Sequence, residues 1–157
     1  MVVTVSSYKD LPNDVDRMMI DEAEKALPFS HCPYSRYHVA ACVLTSTGKI
    51  FVGANVENVA YGSSLCAERS AILHANAAGE GGNIIGIAII TKSEDGPTTK
   101  IVESAPCGAC RQVIMEAARR SGKDIRIIMS TTGKEKVGVS TISDLLPLAF
   151  GPKLAKQ

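Results

Sequence analysis

From residue 13 to residue 27 apolar side chains return at three- and four-residue steps: Val15, Met18, Met19, Ala23, Ala26 and Leu27. That spacing gathers them on one face of a helix, with Asn13 placed to cap it. Pro28 and Pro33 then bracket a loop. Residues 39–45 (VAACVLT) and 49–56 (KIFVGANV) are strand-like runs parted by Ser46, Thr47 and Gly48, which predicts a hairpin. Residues 64–78 are rich in Ala, Glu, Leu and Arg and stop at Gly79, the chemistry of a helix with a glycine at its end. Residues 83–91 (NIIGIAIIT) form a continuous apolar run, as expected of a strand covered on both faces and central in its sheet. A turn-rich stretch around Asp95, Gly96 and Pro97 leads to Pro106, behind which Val113, Ile114 and Ala117 mark another helix ending near Gly122. Residues 125–130 read as a further buried strand, 137–141 as a weaker one, and 142–146 as a short helix before Pro147.

The order is thus α-β-β-α-β-α-β-β-α. Strands alternating with helices after an initial hairpin predict an α/β fold, a three-layer α-β-α sandwich around a mixed five-stranded sheet. At 157 residues the chain reads as one domain, 1–157, long enough to bury about two thirds of its unfolded surface.

Composition narrows the function classes. Hydrophobic residues at 45% and charged ones at 21% are ordinary globular usage, which argues against disorder. Seventeen Lys and Arg against sixteen Asp and Glu leave a net charge of +1 with no basic run, so nucleic acid is not an expected partner. No segment has the length to span a bilayer, and the N-terminal MVVTVSSYKDLPND lacks a basic flank followed by an apolar stretch. A cytoplasmic protein without a membrane partner is expected. In a reducing compartment, five cysteines point to metal binding or catalysis before disulfides.

Three of the five stand at spacings that matter. Cys107 and Cys110 fall in Pro106-Cys107-Gly108-Ala109-Cys110, and at the start of a helix a two-residue gap turns both thiols to one side, where they can chelate one ion. Alone, such a pair could equally be a redox couple or half of a structural zinc site. Cys66-Ala67-Glu68 adds a third thiolate at another helix start and a carboxylate beside it. No fourth Cys stands at a ligand-like spacing, and three protein ligands leave one position open, which distinguishes catalytic Zn²⁺ from structural Zn²⁺. Glu68 is then placed for general acid and base work, although a glutamate in a first helical turn also suits the helix dipole. Three thiolates and Zn²⁺ sum to −1, which opposes deprotonation of a water unless positive charge lies close by. Arg69, Arg111 and the two helix N-termini are the candidates. Cys32 and Cys42 carry no assigned function and read as buried small hydrophobes.

The two cysteine motifs follow the zinc-deaminase pattern, in which the glutamate is not itself a ligand. Longer strings sharpen the match. Asn55-Val56-Glu57-Asn58, Cys66-Ala67-Glu68-Arg69, Pro106-Cys107-Gly108-Ala109-Cys110-Arg111-Gln112, Cys32-Pro33-Tyr34-Ser35, and Leu145-Leu146-Pro147 followed by Phe150-Gly151-Pro152 resemble the short, tetrameric cytidine deaminases of nucleoside salvage. The resemblance runs from about residue 14 to residue 152. It implies hydrolytic deamination of cytidine and 2′-deoxycytidine by a homotetramer, with Cys66, Cys107 and Cys110 on Zn²⁺ and Glu68 as proton carrier. It further implies Asn55 and Glu57 on the ribose, the backbones of Ala67 and Ala105 on the pyrimidine, and Tyr37 as the aromatic beside it. Phe150 would close the site from a neighbouring subunit, and Tyr61 would lie near an interface. Without the resemblance, Asn55 and Glu57 read as polar groups at a hairpin end, and Tyr37 and Phe150 as packing aromatics.

The chain departs from the pattern of the family it resembles in two places. Members of that family usually carry Phe where Tyr37 stands, and a Gly where this chain has Ala40 and Ala41. A buried hydroxyl on the ring needs a partner and could tune the accepted sugar or base. Within the same chemistry the alternatives are deamination of a cytosine-bearing antibiotic such as blasticidin S and editing of a polynucleotide. From another class, a non-enzymatic zinc module would require a closed, four-ligand site.

Overall fold

The structure, a computed structural model, describes residues 3–151. Its strands are β1 (Thr4–Ser6), β2 (Tyr37–Thr45), β3 (Ile50–Ala54), β4 (Ile84–Ser93), β5 (Arg126–Thr131) and β6 (Val137–Thr141). Its helices are α1 (Asp14–Ala26), α2 (Ala67–Ala77), α3 (Gly108–Ser121) and α4 (Ile142–Leu145). The strands form one sheet in the order β1-β6-β5-β4-β2-β3, in which β4 and β5 run parallel and every other pair antiparallel. The sheet therefore has six strands, not the five expected. The addition is β1, three residues paired to the outer edge of β6, too short to leave a recognisable alternation in the sequence. Asn13 occupies the N-cap of α1 as expected, but its side chain makes no capping hydrogen bond.

Strand alternation sorts the core into two layers. Ala40, Cys42, Ala88, Ile90 and Ile128 face α1, where Met19, Ile20 and Ala23 meet them. Ala41, Val43, Ile87, Ile89, Ile127 and Met129 face the other way, against Ala67, Ala71 and Ala75 of α2, Ile114 of α3 and Ile142 of α4. The sandwich is thus α-β-α, and β4 lies inside the sheet with both faces covered. Asp16 of α1 reaches the opposite end of the chain, accepting from Arg126 Nη2 at 2.6 Å and Nε at 3.0 Å.

The alanine-rich face of α2 lets it sit close on β3. A Cβ built on Gly53 would lie 2.4 Å from the backbone N of Ala71 and 2.8 Å from the carbonyl O of Ala67. This contact places the first turn of α2, and with it Cys66 and Glu68, against the sheet. At the far end of the helix Glu80 ties α2 to the β2–β3 turn. Its carboxylate accepts from Lys49 Nζ at 2.6 Å, Asn83 Nδ2 at 2.7 Å and Thr47 Oγ1 at 3.0 Å. Lys49 first, then Asn83, holds this carboxyl down at about 2, below its ordinary 4.5. A depressed carboxylate contributes stability above its unfolded value and loses it as pH falls through its folded one. The wild type should therefore be more stable than Glu80→Gln near neutral pH, with the difference in Tm shrinking below pH 4.5 and closing near pH 2. A difference that stays constant across that range would remove Glu80 as the cause.

Candidate metal and active site

Cys66 and Cys107 are the N-cap residues of α2 and α3, and Cys110 lies in the first turn of α3. Two helix starts thus converge on one point. The three Sγ atoms lie within 4.8 Å of one another and all are free thiols. Tetrahedral zinc with Zn–S near 2.3 Å needs sulfurs roughly 3.8 Å apart, so small side-chain adjustments close the cluster on one ion. Cys110 is fully buried behind the cluster, whereas half-buried Cys66 and exposed Cys107 line the adjoining cavity.

The three thiols are electrically unlike. Cys66 is drawn down to about 5, first by the hydrogen bond it receives from Cys110, against the opposing effect of burial, and then by Arg69. Cys110 is pushed up by donating that bond, by burial and by the nearby Glu68. Arg69 Nη2 lies 3.5 Å from Cys66 Sγ and donates to the carbonyl of Ser64 at 3.2 Å. Its Nε is buried without a hydrogen-bond partner among the described residues. Positive charge is therefore applied to the sulfur cluster from one side, by Arg69. Arg111 takes a different course: Nε donates to the carbonyl of Pro106 at 2.8 Å and Nη1 to that of Leu145 at 3.1 Å. Of the two candidate arginines, Arg69 is thus the one beside a ligand sulfur, and the Arg111 guanidinium braces the chain ahead of Cys107 against the end of α4.

Glu68 is 5% exposed. Burial first, and the charge on Cys66 after it, push its carboxyl up, while its own backbone N–H and Cys110 pull the other way. A carboxyl so placed exchanges a proton more readily near neutral pH than an ordinary glutamate.

The cavity beside the cluster has a volume of about 510 Å³, within the usual range for small-molecule sites. Tyr37, Asn55, Glu57, Ala67, Glu68, Arg69 and Ala105 all line it. Asn55 follows the end of β3 and continues the ladder with its side chain, accepting from Val39 N at 2.9 Å and donating to the Tyr37 carbonyl at 2.8 Å. One amide N–H and one acceptor lone pair are left over. Glu57 accepts from the backbone N–H groups of Tyr34 at 3.0 Å and Ser35 at 3.2 Å. Burial works against the charge, but these bonds and the Ser35 hydroxyl hold Glu57 below its ordinary value. It is an anchored anion at the cavity mouth.

Phe150 stands elsewhere, 84% exposed, with its carbonyl accepting from Arg119 Nη1 at 2.7 Å, and it is absent from the lining of this cavity. Pro152 of the C-terminal string lies outside the described residues. Cys32 and Cys42 are buried away from the cluster, and burial pushes both thiols up, Cys42 to about 12. Neither has the low pKa of a reactive thiol. The sequence did not mark Thr91, Glu103 and Ser104, which also line the cavity. No local pattern distinguishes them from ordinary strand and loop residues.

Residues 13–122 match the family described as "Cytidine and deoxycytidylate deaminase zinc-binding region". The chain belongs to that family. A cytidine deaminase of Mycobacterium tuberculosis is 36% identical over 139 residues, covering 88% of this chain and 92% of that one. A Dictyostelium discoideum relative described as "Probable cytidine deaminase" is 44% identical over 98 residues, 62% of this chain and 61% of its own length. The solved cytidine deaminase of Burkholderia pseudomallei superposes with a TM-score of 0.72 at 38% identity, covering 85% of this chain and 97% of that one. That of M. tuberculosis gives 0.67 at 31% identity. Zinc is the cofactor of such a protein, and the Cys66, Cys107 and Cys110 cluster is a donor set able to hold it. No helix among the described residues is long and apolar enough to cross a membrane.

Proposed function

We propose that the chain hydrolyses cytidine and 2′-deoxycytidine to uridine and 2′-deoxyuridine plus ammonia, as in pyrimidine salvage. The observation that carries this reading is the meeting, in one cavity, of a three-thiol cluster and buried Glu68 with the polar pair Asn55 and Glu57. Cys66, Cys107 and Cys110 would hold Zn²⁺, which when bound acidifies a water and polarises its oxygen for attack. Glu68 is placed to take a proton from the attacking water and to give it to N3 as the water oxygen bonds to C4. It then carries the second proton to the amino group leaving C4, so that water and cytidine become uridine and ammonia. The backbones of Ala67 and Ala105 hold the base edge, and Tyr37 walls its side. Glu57, already ionised and anchored, accepts from the 3′-hydroxyl, and the unused capacity of Asn55 meets the sugar edge.

Charge supports a nucleoside over a nucleotide or polynucleotide. Among the described residues Arg69 is the one basic side chain lining the cavity, and it is engaged on Ser64 and Cys66, whereas three glutamates line the same space. A phosphate would meet repulsion there. A homotetramer with Phe150 supplied by a neighbour fits the unusual exposure of Phe150, Tyr61 at 75% and Val59 at 78%. Unpaired cysteines favour a reducing compartment, the cytoplasm.

The test is zinc stoichiometry together with ammonia release from cytidine, 2′-deoxycytidine, deoxycytidylate and blasticidin S. One zinc per chain and turnover of the two nucleosides at about 1–10³ s⁻¹ are expected. Preference for blasticidin S would transfer the function to antibiotic deamination, and bound metal with no turnover of any substrate would make the protein a zinc module.

A further inference from the structure

Tyr37 opens β2, where it pairs with Ser93 of β4 on one side and its carbonyl accepts from the Asn55 side chain at 2.8 Å, so its backbone is held in place. Its hydroxyl leaves the cavity wall and donates to the carbonyl of Glu103 at 2.7 Å. Glu103 belongs to the 3₁₀ turn Ile101–Ser104, which runs directly into Ala105, Pro106 and the ligand Cys107. Ser104 secures this turn from beneath: its hydroxyl donates to the Ser130 carbonyl at 2.7 Å and accepts from Thr91 Oγ1 at 2.7 Å, both bonds buried. The Glu103 carboxylate closes the turn on itself, accepting from the N–H groups of Thr99 and Lys100 at 2.9 Å. Those bonds fix the base of the turn and its internal shape. Among the described residues only the Tyr37 bond ties its outer side, where Val102 is 72% exposed, across the cavity to β2.

We propose that the Tyr37 hydroxyl is a positioning strut that sets the Glu103–Ala105 wall, and hence the Ala105 carbonyl, at the distance from β2 that the pyrimidine requires. The proposal rests on the cytidine reading for its substrate but not for its geometry. The phenol donates its only proton to Glu103, so it has no proton to give a sugar hydroxyl while the strut is made. Its effect on substrates therefore acts through the base wall and is shared by every cytosine nucleoside. A phenylalanine at this position keeps the ring and its packing but cannot donate. The Glu103 carbonyl then turns to water at little cost in stability, because the bond lies at an exposed site.

The experiment is Tyr37→Phe in the full-length zinc protein, read in two ways. Hydrogen exchange without substrate should quicken in the amides of residues 99–105, while the rest of β2 exchanges as before. In steady-state kinetics kcat/KM should fall about 3- to 10-fold, the worth of one net hydrogen bond. The loss should lie mainly in KM and be equal within about twofold for cytidine and 2′-deoxycytidine. Unchanged exchange in 99–105 overturns the strut whatever the kinetics. Faster exchange with unaltered kcat/KM overturns its positioning role. A loss confined to one of the two nucleosides would mean that the hydroxyl touches the sugar, and overturns the proposal as well. Should the wild type release no ammonia from any cytosine nucleoside, the proposed function fails, and the exchange readout still decides for or against the strut.

Discussion

Replacing Glu68 with Gln is expected to lower kcat for cytidine by about 10²–10⁴-fold, the usual contribution of a positioned acid-base group, while the protein keeps its zinc and melts at the same or a higher temperature. The two halves of this expectation come from one fact. Glu68 is 5% exposed, beside sulfurs that carry negative charge, and burial pushes its carboxyl up. A carboxylate is an unfavourable occupant of such a place, held there by its own backbone N–H and by Cys110. Gln has nearly the same shape, fills the same volume and removes the charge, so the fold gains what catalysis loses. Zinc content must be measured beside kcat and Tm, because loss of metal would also abolish turnover. Near wild-type turnover in a zinc-loaded Glu68→Gln or Glu68→Ala protein would sink the proton-carrying role. A clear fall in Tm would show instead that the carboxylate is structural.

Gly53→Ala should be the most damaging single methyl in the fold's contribution to the site. The added carbon would meet Ala71 N at 2.4 Å, Ala67 O at 2.8 Å and Ser70 C at 2.8 Å. All three are backbone atoms of α2, so no side chain can swing aside, and the helix itself must shift. Overpacking of this kind costs about 1–3 kcal/mol, at roughly 2–4 °C in Tm per kcal/mol for a chain of this size. The functional cost is expected to exceed the thermal one. Cys66 and Glu68 move with α2 while Cys107 and Cys110 stay on α3, and misplacement by about 1 Å can cost 10²-fold in rate. Weaker zinc retention and at least a tenfold fall in kcat/KM are expected. Gly82→Ala, where an added carbon meets nothing within 4 Å, serves as the control. Equal behaviour of the two variants would dismiss the α2–β3 contact as the device that seats the site.

These contacts also mark where reading the sequence succeeds and where it stops. The periodicity of α1 and the apolar run of β4 are local patterns, and both elements form where the pattern lies. The ligand triplet was legible because thiol spacing at helix starts is itself a geometric statement. β1 was not, since three residues hold too little alternation and its partner β6 lies more than a hundred residues away. Arg69 and Arg111 look alike in sequence, each directly following a motif residue. Only the fold shows that one turns back to Ser64 and Cys66 while the other reaches the carbonyl of Leu145. The strut from Tyr37 was equally hidden. Its acceptor is a backbone carbonyl, which has no letter in the sequence, so Tyr37 could be noticed there without a partner to explain its hydroxyl.

The convergence of α2 and α3 on three sulfurs has a bearing on supply as well as on chemistry. An ion held there is a reversible cross-link between stretches of chain roughly forty residues apart, closing a loop that carries β4. Closure favours the folded chain by an amount that grows with the free zinc around it. In a cell short of the metal, the first quantity to fall would then be the number of folded molecules, ahead of the rate at which each one works.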